Sequence, residues 1–139
     1  DYVRLAEARN GRINCPVSYD YPWGEALTEL EKASPIARIV NLETSMTTCN
    51  VHEPKGINYR MHPANVRSLK AAAIDCCVLA NNHVLDWGYS GLADTLRSLH
   101  QAGLRTAGAG RNQQQAADQV SISNSIGSLR QLGTIRAGG

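Results

Sequence analysis

Short apolar runs that stop at polar side chains, with helical segments between them, restrict the fold of this chain more than any other feature. The run at 76–80, "CCVLA", is followed at once by two asparagines and a histidine. A continuous run of this length is typical of a strand that is covered on both faces. A second run, at 36–42, is rich in β-branched residues and ends at Glu43. We therefore predict two short, buried strands with polar groups at their carboxyl ends.

Apolar residues recur at helical spacing in several of the remaining segments. Helices are predicted at 21–35, 63–74 and 90–103, and a third, weaker strand at 104–110. The segment 44–62 is rich in Thr, Asn, Pro and Gly and is predicted to be a loop. Alternating strands and helices are the pattern of an α/β fold, here a layered sandwich with mainly parallel strands and crossover helices.

Composition excludes several classes of protein. A chain of 139 residues has the size of one domain, and its formal net charge of +2 is too small to predict nucleic acid or an anionic membrane as a partner. No apolar stretch approaches the roughly 18 residues that indicate a membrane span. The four cysteines form no CxxC pair and are predicted to be free thiols in a reducing compartment. The start lacks a Met and a signal peptide, so we interpret the chain as the inside of a longer protein and favour the cytoplasm.

Polar groups from the two strongest strands are predicted to meet at one edge of the sheet, because ligands of parallel α/β folds bind outside the carboxyl ends of the strands. Glu43 follows the first strand, and Asn82 with His83 follows the second. A carboxylate, an amide and an imidazole can together hold a divalent ion. A cation would also offset the cost of burying Glu43. Such an ion could activate a water, and His83 could act as a ligand or as a general acid.

Structural roles for the same residues stay open at this point. Asn82 could cap the following turn, and His83 could pack against Trp87. Asp86, three residues after His83, could hydrogen-bond to the ring and orient it. It could equally cap the helix that begins near Gly88.

Weaker signals concern an arginine, a glycine-rich turn and three histidines. Arg60 precedes a predicted helix and could pair with a phosphate or carboxylate, or be a surface arginine. The stretch "GAGRN" at 108–112 lacks the GxGxxG spacing and favours a plain turn. His52, His62 and His100 have no ligand-like mutual spacing, and for His100, on a predicted helix, an exposed or half-buried structural role is favoured.

Three blocks of this sequence together resemble the CapA family of capsule-synthesis proteins: "RIVNLETSMT", "NYRMHPANVRSLKAAAIDCCVLANNHVLDWGYSGLADTLRSLHQAGL" and "AGAGRN". The resemblance runs from Tyr2 to Ala117. It implies a calcineurin-like metallophosphoesterase-type domain that serves capsule or poly-γ-glutamate biosynthesis, with the parent protein associated with the cell envelope. Residues 1–124 would form part of that domain, and 125–139 a divergent or frayed tail. A short helix at 112–119 and a strand at 120–124 are predicted before this tail.

The same resemblance implies roles for individual residues. Glu43 and Asn82 resemble metal ligands, and His83 resembles the histidine that assists leaving-group or phosphate chemistry. The full-length protein would hold two divalent ions, with Mn, Fe and Zn not distinguished. The substrate would be an anionic molecule of the phosphate or polyglutamate type. We assign Asp86 to catalysis with His83, and Arg60 and Asn81 to substrate binding.

The sequence departs from the family pattern in two respects. It has no initial strand that ends in Gly-Asp, and it has no histidine after His100. We therefore expect this chain alone to bind metal weakly and to show little turnover. The alternative to a hydrolase is a non-catalytic scaffold or binding component of polyglutamate synthesis or export, with other capsule-synthesis subunits as partners.

Overall fold

A computed structural model describes residues 2–108 and 110. The helix predicted at 112–119, the strand predicted at 120–124 and the tail at 125–139 lie outside the described residues. The proposed domain boundary after residue 124 lies outside them as well.

Helices and strands alternate along the described chain, as predicted. Two 3₁₀ turns, at Tyr21–Trp23 and Pro63–Asn65, precede α2 and α3. The elements in chain order are α1 (Tyr2–Asn10), α2 (Ala26–Ala33), β1 (Ile39–Asn41), β2 (Ser45–Met46), β3 (Arg60–Met61), α3 (Val66–Ala71), β4 (Cys76–Val78), α4 (Gly88–Gln101) and β5 (Arg105–Ala107).

The main sheet has three parallel strands in the order β1-β4-β5. Helix α3 precedes β4, and α4 connects β4 to β5, so parallel strands are joined by helical crossovers. The three strands are in register at Val40, Cys77 and Thr106. This arrangement confirms the predicted α/β fold class with parallel strands.

The described sheet is covered mainly on one face, which differs from the prediction of strands buried on both. Residues in register lie on the same face, and Cys77 at the centre of its face is fully buried. The neighbouring Ile39 is 63% exposed, and Ile36 before the strand is fully exposed. The reason is that successive side chains of a strand point to opposite faces of the sheet, and that of Ile39 points away from the covered face.

The core lies between the sheet and α4. Helix α4 packs against β5 and β2. Its predicted apolar stripe is confirmed at Leu92 and Leu99, which are 1% and 0% exposed. Leu79, Met46 and Leu69 complete the same cluster. None of the helices in residues 2–108 and 110 is both long and apolar enough to cross a membrane.

The segment 44–62 contains two short strands where the sequence predicted only a loop. Strand β2 pairs with β3 in parallel, with Ser45 opposite Arg60. The backbone N–H of Met46 also donates to Thr95 Oγ1 of α4 at 2.9 Å. These strands depend on partners distant in sequence, so no local periodicity indicated them. Helix α1 was not predicted either, and its Leu5 is 67% exposed.

Gly108, in the glycine-rich stretch, is needed for close packing. Its φ is +79°, and a Cβ atom there would lie 2.6 Å from the Cβ of Ala80. Only glycine adopts this backbone conformation readily and leaves this space free. Residues 109, 111 and 112 of the stretch "GAGRN" lie outside the described residues, so the interpretation of a plain turn stays a prediction.

Candidate functional site

A buried histidine–aspartate pair lies in the turn between β4 and α4. His83 is 9% exposed and Asp86 is 0% exposed. His83 Nδ1 and Asp86 Oδ2 are 2.8 Å apart. Asp86 therefore contacts the His83 ring, which is the first of its two predicted roles; the second was to cap the helix that begins near Gly88. The other arrangement is not observed, because Trp87 is the residue that precedes α4 and no side chain caps that helix.

Three donors surround the Asp86 carboxylate. Lys55 Nζ forms an ion pair with Oδ1. The backbone N–H of Tyr59 donates to Oδ2 at 2.6 Å, and His83 contacts the same oxygen. Burial by itself raises the pKa of Asp86, but the hydrogen bonds from Lys55, His83 and Tyr59 together with the Lys55 charge outweigh burial and lower that pKa. Asp86 is therefore ionised at neutral pH.

This charge state defines which nitrogen of His83 bears the proton. An ionised carboxylate can only accept hydrogen bonds, so His83 Nδ1 must donate to Asp86. In the neutral ring the proton is then on Nδ1, and Nε2 has a lone pair. The pair thus leaves Nε2 as the nitrogen that can bind an ion or exchange a proton with a substrate.

The ring of His83 packs against Tyr59 rather than against Trp87. The two ring centroids are 4.3 Å apart, and the rings are tilted by 39°. Trp87 instead contacts the ring of His52, at 5.6 Å between centroids, and the guanidinium of Arg60. The predicted contact between His83 and Trp87 is therefore replaced by one with Tyr59, which belongs to the segment predicted as a loop.

Asn81 joins the ends of β1 and β4. Its Nδ2 donates to Asn41 Oδ1 at 3.0 Å and to Leu42 O at 3.1 Å. Its Oδ1 accepts from the backbone N–H of His83 at 3.0 Å. Asn81 therefore caps the following turn, a role that the sequence predicted as one alternative for Asn82. Its predicted role in substrate binding stays a prediction.

Glu43 and Asn82 follow neighbouring strand ends, as the topology required. The backbone N–H of Leu42 donates to Val78 O at 2.9 Å, which brings the two strand ends together. The side chains of Glu43 and Asn82 are, however, exposed. The expectation that Glu43 is buried and needs a cation to compensate its charge is therefore wrong.

Within residues 2–108 and 110, no group of three or more His, Cys, Asp and Glu side chains is placed to hold a metal ion. Asp86 has both oxygens engaged by protein donors. The assignment of Glu43 and Asn82 as metal ligands stays a prediction.

Arg60 is an exposed but fixed side chain on β3. Its Nη1 donates to Cys49 O at 2.8 Å and to Asn50 Oδ1 at 3.0 Å, and its guanidinium lies 4.4 Å from the centroid of the Trp87 ring. It lines a cleft of about 210 Å³ together with Thr47, Thr48, Asn50 and His62. Trp87 Nε1 donates to Tyr59 O at 2.8 Å, so Trp87 and Tyr59 connect Arg60 to His83.

His62 and His100 each contact a neighbouring polar group of the protein. His62 Nδ1 accepts from the backbone N–H of Ala64 and caps the 3₁₀ turn that follows. His100 is exposed on α4, and its Nε2 lies 3.1 Å from Thr106 Oγ1. The exposed position of His100 agrees with the structural role predicted for it.

Sequence reasoning missed Lys55 and Tyr59. Both lie in "EPKGINYR", a stretch that we treated as plain loop because it has no periodicity. The available signal in the sequence was the presence of Lys55 and Tyr59 between the predicted strand at 36–42 and the predicted helix at 63–74. Both reach Asp86 from the segment that joins β2 to β3, so the contact depends on the tertiary structure.

Comparison with known proteins identifies the family. The family model described as "Bacterial capsule synthesis protein PGA_cap" matches residues 3–133, nearly the whole chain. The chain belongs to this family. The resemblance to capsule-synthesis proteins that the sequence blocks indicated is thereby confirmed, and no solved structure matches the chain.

Individual relatives of this PGA_cap chain are much longer than it is. Two strains of Mycobacterium tuberculosis have a "Probable polyglutamine synthesis accessory protein" that is 50% identical over 110 residues, covering 78% of this chain and 29% of the relative. The "Capsule biosynthesis protein CapA" of Bacillus anthracis is 36% identical over 58 residues, covering 42% of this chain and 14% of that protein. The chain therefore spans less than a third of the length of these relatives.

Proposed function

We propose that this PGA_cap chain forms part of a hydrolase that cleaves a bond in an anionic substrate during capsule or poly-γ-glutamate production. His83 is the residue that transfers a proton. The observation that supports this most strongly is the buried hydrogen bond between His83 Nδ1 and Asp86 at the carboxyl end of a parallel strand. A fully buried carboxylate beside a histidine is a recurrent arrangement for general acid–base chemistry.

The geometry suggests what each group does. The Asp86 carboxylate holds the Nδ1 proton and stabilises the ring when it becomes positively charged. The protonated ring can then donate its Nε2 proton to the oxygen of a leaving group. The Tyr59 ring against His83 restricts the tilt of the imidazole. These steps involve only residues of this chain.

Divalent ions belong to the proposal as a separate assignment. When bound, they would lower the pKa of a water and polarise a phosphoryl oxygen. Glu43 and Asn82 are the residues we assign as ligands, and further ligands would have to come from other parts of the full-length protein. Metal content of Glu43→Gln and Asn82→Ala variants of that protein, measured by elemental analysis, tests the assignment independently of activity.

The proposed substrate is an anion of the phosphate or polyglutamate type. Support comes from the relatives, whose names refer to polyglutamine synthesis and capsule biosynthesis. We propose Arg60 as the group that binds a carboxylate or phosphate. Its guanidinium is held by neutral acceptors, and none of the ion pairs within residues 2–108 and 110 involves it.

A variant of His83 in the full-length protein tests the hydrolase proposal. We expect His83→Ala to lower turnover of phosphoesters and of γ-linked glutamate chains, assayed with Mn²⁺, by about 10²- to 10⁴-fold. His100→Ala is the matched control, because His100 is exposed on α4, and it should leave turnover unchanged. Equal turnover in the wild type and in His83→Ala would refute the proposal.

A second candidate function is a non-catalytic accessory to polymer synthesis or export. It is favoured by the word "accessory" in the name of the M. tuberculosis relatives. Polymer output of cells that express only His83→Ala separates the two functions. Normal output would support the accessory function, and loss of output would support the hydrolase.

A further inference from the structure

Lys55 contacts two residues of the candidate site at once. Its Nζ forms an ion pair with Asp86 Oδ1 and donates to the backbone carbonyl of Asn82 at 2.9 Å. The lysine side chain is 34% exposed, whereas the side chain of Asp86 is completely buried. A single ammonium group therefore fixes both the carboxylate behind His83 and the backbone immediately before it.

The loop that contains Lys55 is itself attached to Asp86. The backbone N–H of Glu53 donates to Asp86 O at 2.9 Å, and Asn58 Nδ2 donates to the same oxygen at 2.9 Å. A turn closed by the bond from Lys55 N–H to Glu53 O, at 2.9 Å, directs the chain between these anchors. Contacts on both sides of Lys55 thus hold its backbone in place. An isolated surface ion pair would not need such anchors.

A buried carboxylate needs a compensating charge. Taking an ionised carboxylate out of water costs several kcal/mol unless it is paired and hydrogen-bonded. The other two donors to Asp86 are the Tyr59 backbone N–H, which has no net charge, and the His83 ring. If the lysine charge were removed, Asp86 would have to take up a proton or turn toward water, and either change would disturb its bond to His83 Nδ1.

We infer that Lys55 is a positioning residue, which acts through Asp86 to hold the His83 ring in one tautomer and orientation and which directly holds the backbone at Asn82. A cleft of about 540 Å³ lies beside Lys55 and is also lined by Asn82 and Tyr89. The consequence for turnover rests on the proposed hydrolase function, but the effect on the ring does not.

Nuclear magnetic resonance of the histidine rings tests the inference directly. Long-range ¹H–¹⁵N spectra at neutral pH, with the His83 signals assigned from a His83→Ala variant, distinguish the two tautomers. We expect wild type to show the Nδ1-protonated form of His83. Lys55→Met removes the charge and all three donors, so it should produce a mixture of tautomers or the Nε2-protonated form.

Two further variants make the result interpretable. Lys32→Met is the matched control, because Lys32 forms an exposed ion pair with Glu29 on α2, and it should leave the His83 signals unchanged. Lys55→Gln keeps part of the stem and two N–H donors without the charge, and it is measured in parallel so that a folding defect of Lys55→Met is not decisive. A wild-type His83 tautomer in a folded Lys55→Met or Lys55→Gln protein would overturn the inference.

Turnover gives a second, separate readout in the full-length protein. If the hydrolase proposal holds, Lys55→Met should lower kcat by roughly 10- to 100-fold, as expected for a group that orients a reacting side chain, with little change in KM. A changed His83 tautomer in Lys55→Met, together with no measurable turnover in the wild type, would support the positioning role of Lys55 and contradict the hydrolase proposal. Normal kcat in Lys55→Met would contradict the positioning role.

Discussion

At the scale of single residues, the sequence restricted Asp86 to two roles, and the structure shows which of them it has. Its position three residues after His83 indicated either a contact with the ring or a helix cap. The structure shows the ring contact, because Asp86 Oδ1 meets Lys55 and its Oδ2 meets Tyr59 N–H and His83. Both oxygens are thereby engaged before the first turn of α4.

We expect the contribution of Asp86 to stability to depend on pH. Its pKa in the folded protein is lowered. The stabilisation is therefore fully present above the pKa of an unfolded aspartate, about 3.9, and is lost as the pH falls through the lower folded-state pKa. Urea unfolding at a series of pH values should show Asp86→Asn less stable than wild type by about 1–3 kcal/mol near neutrality. That difference should shrink below pH 4.

Glu29→Gln provides the comparison for this experiment. Glu29 forms an exposed ion pair with Lys32, and such pairs contribute between about 0 and 1 kcal/mol. Its substitution should leave the free energy of unfolding nearly unchanged at neutral pH. A difference between wild type and Asp86→Asn that stays constant down to pH 2 would contradict the assignment of a lowered pKa.

At the scale of secondary-structure elements, α4 organises the molecule by binding β2 as well as β5. Thr95 is 2% exposed, and its Oγ1 contacts Gly91 O at 2.7 Å and the Met46 N–H at 2.9 Å. Gly91 allows the turn before α4 to pack closely, since a Cβ there would lie 2.4 Å from the Cβ of Trp87. Strand β2 has two residues, so it depends on these contacts rather than on its own length.

Replacing Thr95 by Val should destabilise the α4–β2 contact with little change of shape. The substitution keeps the volume but leaves the buried Met46 N–H without its acceptor, at a cost of about 1–3 kcal/mol. Chemical denaturation should show this loss, and hydrogen exchange should show faster exchange at Met46. Thr28→Val on the exposed surface of α2 is the control and should change the free energy of unfolding by less than about 0.5 kcal/mol. Equal stability of Thr95→Val and wild type would refute the role of this bond.

At the scale of the whole molecule, Cys77 lies at the centre of the covered face of the sheet. It is 0% exposed, and burial, with a smaller effect of the neighbouring Cys76, raises the pKa of its thiol to about 11. Cys15 is exposed. Because the thiolate is the reactive form, the two thiols should differ sharply in reactivity toward an aromatic disulfide reagent.

Thiol labelling should therefore report opening of the core. In a variant that keeps only Cys77, with Cys15, Cys49 and Cys76 changed to Ser, we expect no labelling under native conditions and rapid labelling in urea above the unfolding midpoint. A variant that keeps only Cys15 should react at once under both conditions. Rapid native labelling of Cys77 would mean that the core around β4 opens without global unfolding.

Local pattern was enough to locate most helices and the three strands of the main sheet. Helical spacing of Leu92 and Leu99 identified α4, and the apolar run at 76–80 identified β4. The pairing of neighbouring strand ends also followed from topology, because parallel strands place their carboxyl ends at one edge. The exposure of Glu43 did not follow, since burial depends on what covers an edge strand and not on the strand itself.

The amino-acid sequence by itself determined the order of the three main-sheet strands and of helices α2 to α4, the family, and the proximity of His83 and Asp86, because each of these depends on local spacing or on contiguous blocks. Only the tertiary structure decided that Lys55 and Tyr59 surround Asp86, and that Arg60 stacks on Trp87. The physical reason is that these contacts join segments about 30 residues apart, so no local spacing in the sequence indicates them.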